Sequence, residues 1–158
     1  MKRSYLLAGV LVAAIVLVGG YFGAAAFVYE SVSRVEPHCG GRFDENTPAS
    51  WTPPSWVSAD FDAASYFMPE YDDVRFPARD APIELHAWWV PPPDGMDGPA
   101  VIVPHGLGSC IRDREVLLPA GMLSQLGHGV LMLDLRDHGE SSVEDGRMAG
   151  GTDEYRDV

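Results

Sequence analysis

The stretch Ala100-Val-Ile-Val-Pro104-His-Gly-Leu-Gly-Ser109 decides how the rest of the chain is read. Val101, Ile102 and Val103 are consecutive β-branched residues between Pro99 and Pro104. That pattern suits a short strand buried on both faces of a parallel sheet. The apolar run stops at Pro104. Gly106 and Gly108 flank Leu107, so the backbone turns sharply there and leaves its N–H groups uncovered. An N–H exposed at the end of a central strand can stabilise a developing oxyanion. The same residues also fit an ordinary strand-to-helix turn, and both readings stand at this point.

Downstream, a helical segment runs from about Asp113 to Gly127, with Leu118, Met122, Leu123 and Leu126 at helical spacing. Pro119 marks a first turn or a kink, and Gly127 and Gly129 bracket His128 and stop the helix. Val130-Leu-Met-Leu-Asp-Leu135 reads as another strand, apolar on both faces. Strand, helix and strand with short returns imply a right-handed βαβ unit and a parallel sheet. Arg136-Asp137-His138-Gly139-Glu140-Ser141-Ser142 follows, then a loop through Gly151. Thr152 or Asp153 caps what reads as the first turn of a helix over Glu154 to Val158.

Upstream, Tyr71 to Pro77 and Ile83 to Val90 form a predicted β-hairpin, with Ile83, Leu85 and Ala87 on one face. His86 falls on the more polar face and is read as solvated. Pro91-Pro92-Pro93-Asp94-Gly95 ends the hairpin. Tyr29 to about Glu70 is a connecting segment punctuated by Pro37, Pro48, Pro53, Pro54 and Pro69. One short helix fits between Ser58 and Met68. Trp51, Trp56, Phe61, Tyr66 and Phe67 are too apolar for a free linker, so they are expected to pack on the folded body.

The N-terminus is an anchor or a signal. Lys2 and Arg3 precede 24 residues, Tyr5 to Val28, without a charge. A bilayer core needs about 20 residues of helix, and a signal core only about 7–15, so length favours an uncleaved anchor. Ala24-Ala25-Ala26 offers a cleavage site, which makes a secreted product the alternative. Positive charge before the segment and Glu30 and Glu36 after it place the N-terminus inside and the body outside. Domain boundaries are then expected as anchor or signal 1–28, connecting segment 29–70 and folded body 71–158.

Composition narrows the partners. The chain has 158 residues, 46% hydrophobic and 22% charged, which suits one folded domain at most. A net charge of −12 repels phosphate backbones and argues against nucleic acid as a partner. Cys39 and Cys110 lack Cys-x-x-Cys spacing, so zinc and thioredoxin-like sites are not indicated. A disulfide between them fits a domain outside the cytoplasm. Two isolated thiols are the other reading. His105, His128 and His138 show no metal-ligand spacing. Gly106-Leu-Gly108 begins like a dinucleotide fingerprint, but Ile111 stands where the third glycine belongs. No cofactor is expected.

His105-Gly106-Leu107-Gly108, followed about 30 residues later by Asp134-Leu-Arg136-Asp-His138-Gly139-Glu-Ser141, resembles the α/β-hydrolase superfamily. The likeness covers roughly Tyr71 to Val158, and with the apolar N-terminus it is similar to membrane-attached serine hydrolases of the esterase and peptidase-like kind. It implies a partial α/β-hydrolase fold: a hairpin leading into a mostly parallel sheet, preceded by one transmembrane helix. It implies that the Leu107 backbone N–H is an oxyanion-hole donor, with His105, Gly106 and Gly108 shaping its loop. Arg136, His138 and Gly139 would brace the loop after the following strand, and Ser141 and Ser142 would hydrogen-bond within it. The substrate would be a small molecule or peptide carrying an ester, thioester or amide, cleaved by Ser-His-Asp acyl transfer. No Gly-x-Ser-x-Gly elbow occurs in the chain; Gly139-Glu-Ser141-Ser-Val lacks the closing glycine. The nucleophile, acid and His of a triad are therefore expected past Val158. The chain reads as the N-terminal half of such an enzyme, inactive and poorly soluble without the rest. A non-catalytic extracytoplasmic binding domain on the same scaffold is the alternative.

Overall fold

The computed structural model describes residues 2–58, 60–93 and 98–158. The side chains of Lys2 and Arg3 and the turn residues Asp94 and Gly95 lie outside what is described. The chain forms two compact units, the first ending at Arg34 and the second running Val35–Val158.

The first unit is one helix, α1 (Lys2–Ser33). Its span Leu7–Ser33 is long and apolar enough to cross a membrane or to serve as a signal sequence. At about 1.5 Å per residue, 27 residues exceed the roughly 30 Å hydrocarbon thickness.

The second unit is a mixed α/β body. Its strands are β1 (Asp72–Pro77), β2 (Glu84–Val90), β3 (Ala100–Pro104) and β4 (Gly129–Leu133), and α2 (Arg114–Gln125) connects β3 to β4. The sheet is open, in the order β1-β2-β4-β3. β1 pairs antiparallel with β2, β2 antiparallel with β4, and only β3 with β4 is parallel. This corrects the expectation of a mostly parallel sheet. A parallel neighbour needs a crossover of a dozen or more residues, and here only the connection through α2 supplies one. The short hairpin turn forces β1 and β2 to oppose each other.

Alternation along the strands separates two apolar clusters. Trp88, Val90, Val130 and Met132 join Ile111, Val116, Leu117 and Ala120 on the side covered by α2. Leu85, Ala87 and Leu133 form the second cluster, with Ile83 packed against it. The hairpin face read from the sequence is thus the face observed. With Ala78, that cluster has four buried members, none more than 9% exposed, so the face is not bare.

α2 buries only part of the face its leucine spacing marks, with Leu118 in the core and Leu123 packed against it. Asp113 caps it by accepting the Glu115 N–H at 3.0 Å. Val116, Leu117, Ala120 and Gly121 are buried, whereas Met122 and Leu126 are 43% and 74% exposed. Small residues decide this. A Cβ on Gly121 would run into the Tyr66 backbone, so only glycine lets the helix approach the segment before β1 so closely. Trp51, Phe61, Tyr66 and Phe67 pack on the core as expected, but Trp56 is 71% exposed. The helix expected between Ser58 and Met68 shrinks to a 3₁₀ turn, Ala63–Tyr66, capped by Asp62. Glu154–Arg156 is likewise a single 3₁₀ turn.

Candidate functional site

The loop leaving β3 is held from several sides. His105 is buried, and its Nδ1 donates to the Gly106 carbonyl at 2.8 Å. Its Nε2 accepts the Leu135 N–H at 3.1 Å, joining this loop to the one after β4. Burial holds the His105 pKa below the ordinary histidine value, which keeps the ring neutral and Nε2 free to accept. With both nitrogens engaged, the ring organises the loop and has no lone pair left for proton transfer. The Ser109 N–H bonds the Gly106 carbonyl at 3.2 Å, closing a four-residue turn. That bond engages the N–H of the fourth residue and leaves the two central N–H groups unused. Those groups belong to Leu107 and Gly108, and neither has an acceptor among the described residues. Gly108 takes φ +61, the left-handed region that glycine enters at no cost. From outside, Arg42 Nη2 donates to the Gly108 carbonyl at 2.7 Å, and Cys110 is joined to Cys39 by a buried disulfide. The reading of the two cysteines as isolated thiols is thereby corrected. Folding brings them together because the segment after α1 lies across the start of this loop.

Leu107 lies on the wall of a cavity of about 370 Å³, shared with His105, Leu135, His138, Met148 and Glu154. His138 is 2% exposed. Its Nδ1 donates to the Arg136 carbonyl at 2.7 Å, while its Nε2 is buried with no hydrogen-bond partner. Its ring centroid stands 4.6 Å from that of His105. The Glu154 carboxylate accepts the N–H of Ala149 at 2.7 Å and of Gly151 at 2.8 Å. Burial opposes its charge, but these and neighbouring amides prevail and hold its pKa below the usual carboxylate value.

The loop after β4 is built around Asp134, which is 1% exposed. Its carboxylate accepts the Ile111 N–H at 2.9 Å, the Glu140 N–H at 3.1 Å and His86 Nδ1 at 2.9 Å. Gly139 sits at φ +51, where a Cβ would overlap that carboxylate. Asp137, at φ +64, gathers the N–H groups of Glu144, Asp145 and Gly146 on one oxygen. Arg136 is buried among carboxylates: Asp157 at 2.8 Å, Asp80 at 2.8 Å and Glu144 at 3.1 Å. Its hydrogen bond to Asp157 leads the effects that push its pKa above the ordinary arginine value.

His86 is not solvated, as its polar strand face suggests, but 0% exposed. β2 lies between β1 and β4, so a polar side chain on it meets partners from both sides. Besides Asp134, Nε2 faces Asp73 at 3.1 Å. Burial disfavours the charged ring, yet the bonds to the two carboxylates outweigh it and raise its pKa above 6.5. Ser141, His86 and Asp134 are close but do not form a triad. The Ser141 hydroxyl donates to the Asp134 carbonyl at 2.7 Å and accepts the His86 backbone N–H at 2.8 Å. Ser142 Oγ accepts the Glu84 N–H at 3.1 Å, so both serines stitch the loop to β2.

Sequence reasoning missed Asp134, His86 and Glu154. Asp134 carried a signal, an acid at the end of an apolar strand followed by Gly139. His86 and Glu154 carried none, because their partners lie on other elements. Among the described residues, no three His, Cys, Asp or Glu side chains gather as a metal centre.

No family model and no curated protein matches the chain. Among solved structures it is similar to the Pyrococcus furiosus esterase Pf2001 in three space groups. In P21 the identity is 25% and the TM-score 0.49, over 67% of this chain and 39% of that one. In P212121 the identity is 25% and the TM-score 0.45, over 63% and 35%. In C2221 the identity is 26% and the TM-score 0.42, over 60% and 34%. The chain thus spans about two fifths of the length of the esterase it is similar to.

Proposed function

We propose that this chain supplies the oxyanion-stabilising part of a membrane-anchored α/β hydrolase that cleaves an ester, thioester or amide bond by Ser-His-Asp acyl transfer. The observation that carries the reading is the Leu107 N–H: it has no acceptor in its own turn, and its residue lies on a cavity wall. A backbone donor fixed by His105, Arg42 and a disulfide costs no reorganisation when charge develops on a carbonyl oxygen. The hydroxyls of Ser109 and Ser141 are committed to Asp113 and Asp134. The nucleophile and its His and Asp partners are accordingly assigned to polypeptide outside these residues.

In a hydrolysing protein that contains this chain, Leu107→Pro removes the N–H and lowers kcat about 10²–10³-fold with little change in KM. Leu107→Ala keeps the N–H and most of the rate. Equal rates for the two variants overturn the reading, as does fluorophosphonate labelling of any serine in this chain.

The anchor is α1, with the body on the far, oxidising side of the membrane; secretion after cleavage near Ala24–Ala26 is the second route. The Cys39–Cys110 disulfide supports an oxidising compartment, where such bonds persist. A binding domain without catalysis is the second functional reading, favoured by the structural use of Ser141, His86 and Asp134.

A further inference from the structure

Two tryptophans of the body are core residues and one is not. Trp51 and Trp88 are 4% and 2% exposed, whereas Trp56 is 71% exposed. The turn that carries Trp56 is stiff. Pro53 and Pro54 restrict the backbone ahead of it, and the Val57 N–H donates to the Pro54 carbonyl at 3.0 Å, closing a turn around Ser55 and Trp56. An indole mounted this way loses little freedom when a ligand settles on it.

Trp56 does not stand alone. It lines a groove of about 420 Å³ with Arg114, Glu115, Leu118 and Pro119, all from the start of α2. That volume lies within the roughly 300–1,000 Å³ of small-molecule sites. The groove shares no lining residue with the cavity beside Leu107. Leu118 and Pro119 are apolar. Arg114 and Glu115 carry opposite charges, yet among the described residues neither side chain makes an ion pair or a hydrogen bond. Arg114 is steadied instead by Phe43, with its guanidinium 5.5 Å from the ring centroid. The groove thus presents a fork of donors, a carboxylate acceptor and a bare aromatic face.

These walls select by charge and shape. An anion drawn to Arg114 meets Glu115, and a cation drawn to Glu115 meets Arg114, so neither gains from charge. A wholly apolar body would take polar groups out of water without replacing their hydrogen bonds. A zwitterion gains only solvent-exposed ion pairs, which are weak. A neutral ring with hydroxyls on its rim satisfies all the walls. Its hydroxyls accept from Arg114 and donate to Glu115. Its C–H face, weakly positive, meets the negative face of the indole.

We propose that this groove binds a neutral pyranose sugar of the all-equatorial β-gluco type, stacked on Trp56 and held through its hydroxyls by Arg114 and Glu115. That configuration keeps hydroxyls off both ring faces and leaves them flat enough to stack. The site is independent of the acyl-transfer reading and of any role for Leu107.

The test compares methyl β-glucopyranoside with its uronate and its amino-sugar counterpart, which share the ring and differ in charge. The full chain in lipid nanodiscs, ¹⁵N-labelled at tryptophan and arginine, is titrated with each. The neutral glycoside is expected to shift the Trp56 indole N–H saturably and to bind at least about threefold more tightly than either charged analogue. Trp56→Ala, an exposed position, is expected to leave the melting temperature unchanged and to weaken binding at least about tenfold, followed at the Arg114 Nε resonance. Glu115→Gln, which keeps an acceptor, is expected to bind the neutral glycoside nearly as well as the parent and to relax the discrimination against the uronate. The absence of a saturable shift overturns the proposal. So does binding of the uronate, the amino sugar or zwitterionic phenylalanine as tightly as the neutral glycoside, or undiminished binding in Trp56→Ala.

Discussion

Gly139 carries a burden that its neighbours share out among several atoms. Its φ of +51 already disfavours a side chain, and the Asp134 carboxylate fills the place where a Cβ would go. Gly139→Ala therefore adds strain and displaces the acceptor of the Ile111 and Glu140 amides and of His86. A backbone outlier of this kind costs about 1–3 kcal/mol alone, and the disrupted buried network adds to it. The expected outcome is a loss of about 3 kcal/mol or more, read as a lower urea midpoint at unchanged slope. Gly106→Ala is the control: a Cβ there meets nothing within 4 Å.

Between elements, His86 is the clamp of the sheet's polar end. It sits on β2 and reaches Asp73 on β1 and Asp134 just past β4. Because its pKa is raised on folding, the protonated ring stabilises the native state fully below the unfolded value of 6.5. That contribution is lost as pH rises through the higher folded value. Thermal melts from pH 6 to 9 are expected to show falling stability over that window, and Asp73→Asn to flatten the slope; an unchanged slope would contradict the clamp. β3 and β4 were legible as local apolar runs beside proline or glycine, and β1 as an alternation. β3, however, is the sheet's edge strand, with Ile102 40% exposed, and not a strand buried on both faces. The turn at Gly106–Gly108 was legible too. The clamp was not, since Asp73 and Asp134 stand 13 and 48 residues from His86 and only sheet pairing brings them together. The core side of α2 was read only in part: Leu118 and Leu123 do meet the core, but close approach added Ala120 and Gly121 and left Met122 and Leu126 outside.

For the body as a whole, the disulfide is the largest covalent constraint among the described residues. It closes a loop with a sequence separation of 71, which by chain entropy stabilises folding by about 4 kcal/mol. Cys39→Ser/Cys110→Ser is expected to lower the melting temperature by more than ten degrees, since about 1 kcal/mol moves a domain of this size by roughly 4 °C. The free N–H groups of Leu107 and Gly108 should exchange hydrogen no more slowly in the variant than in the parent. Slower exchange would mean that the tether strains the turn and does not fix it.

Cys39 precedes the whole hairpin and β3, and Cys110 follows them. A protease that cuts any peptide bond between the two cysteines separates nothing: the halves migrate as one species until thiol is added. Clipped material would keep β4 and the loop after it fastened to the stub that leads back to α1. Release of the body from α1 therefore requires a cut before Cys39, or a cut between the cysteines together with a reductant.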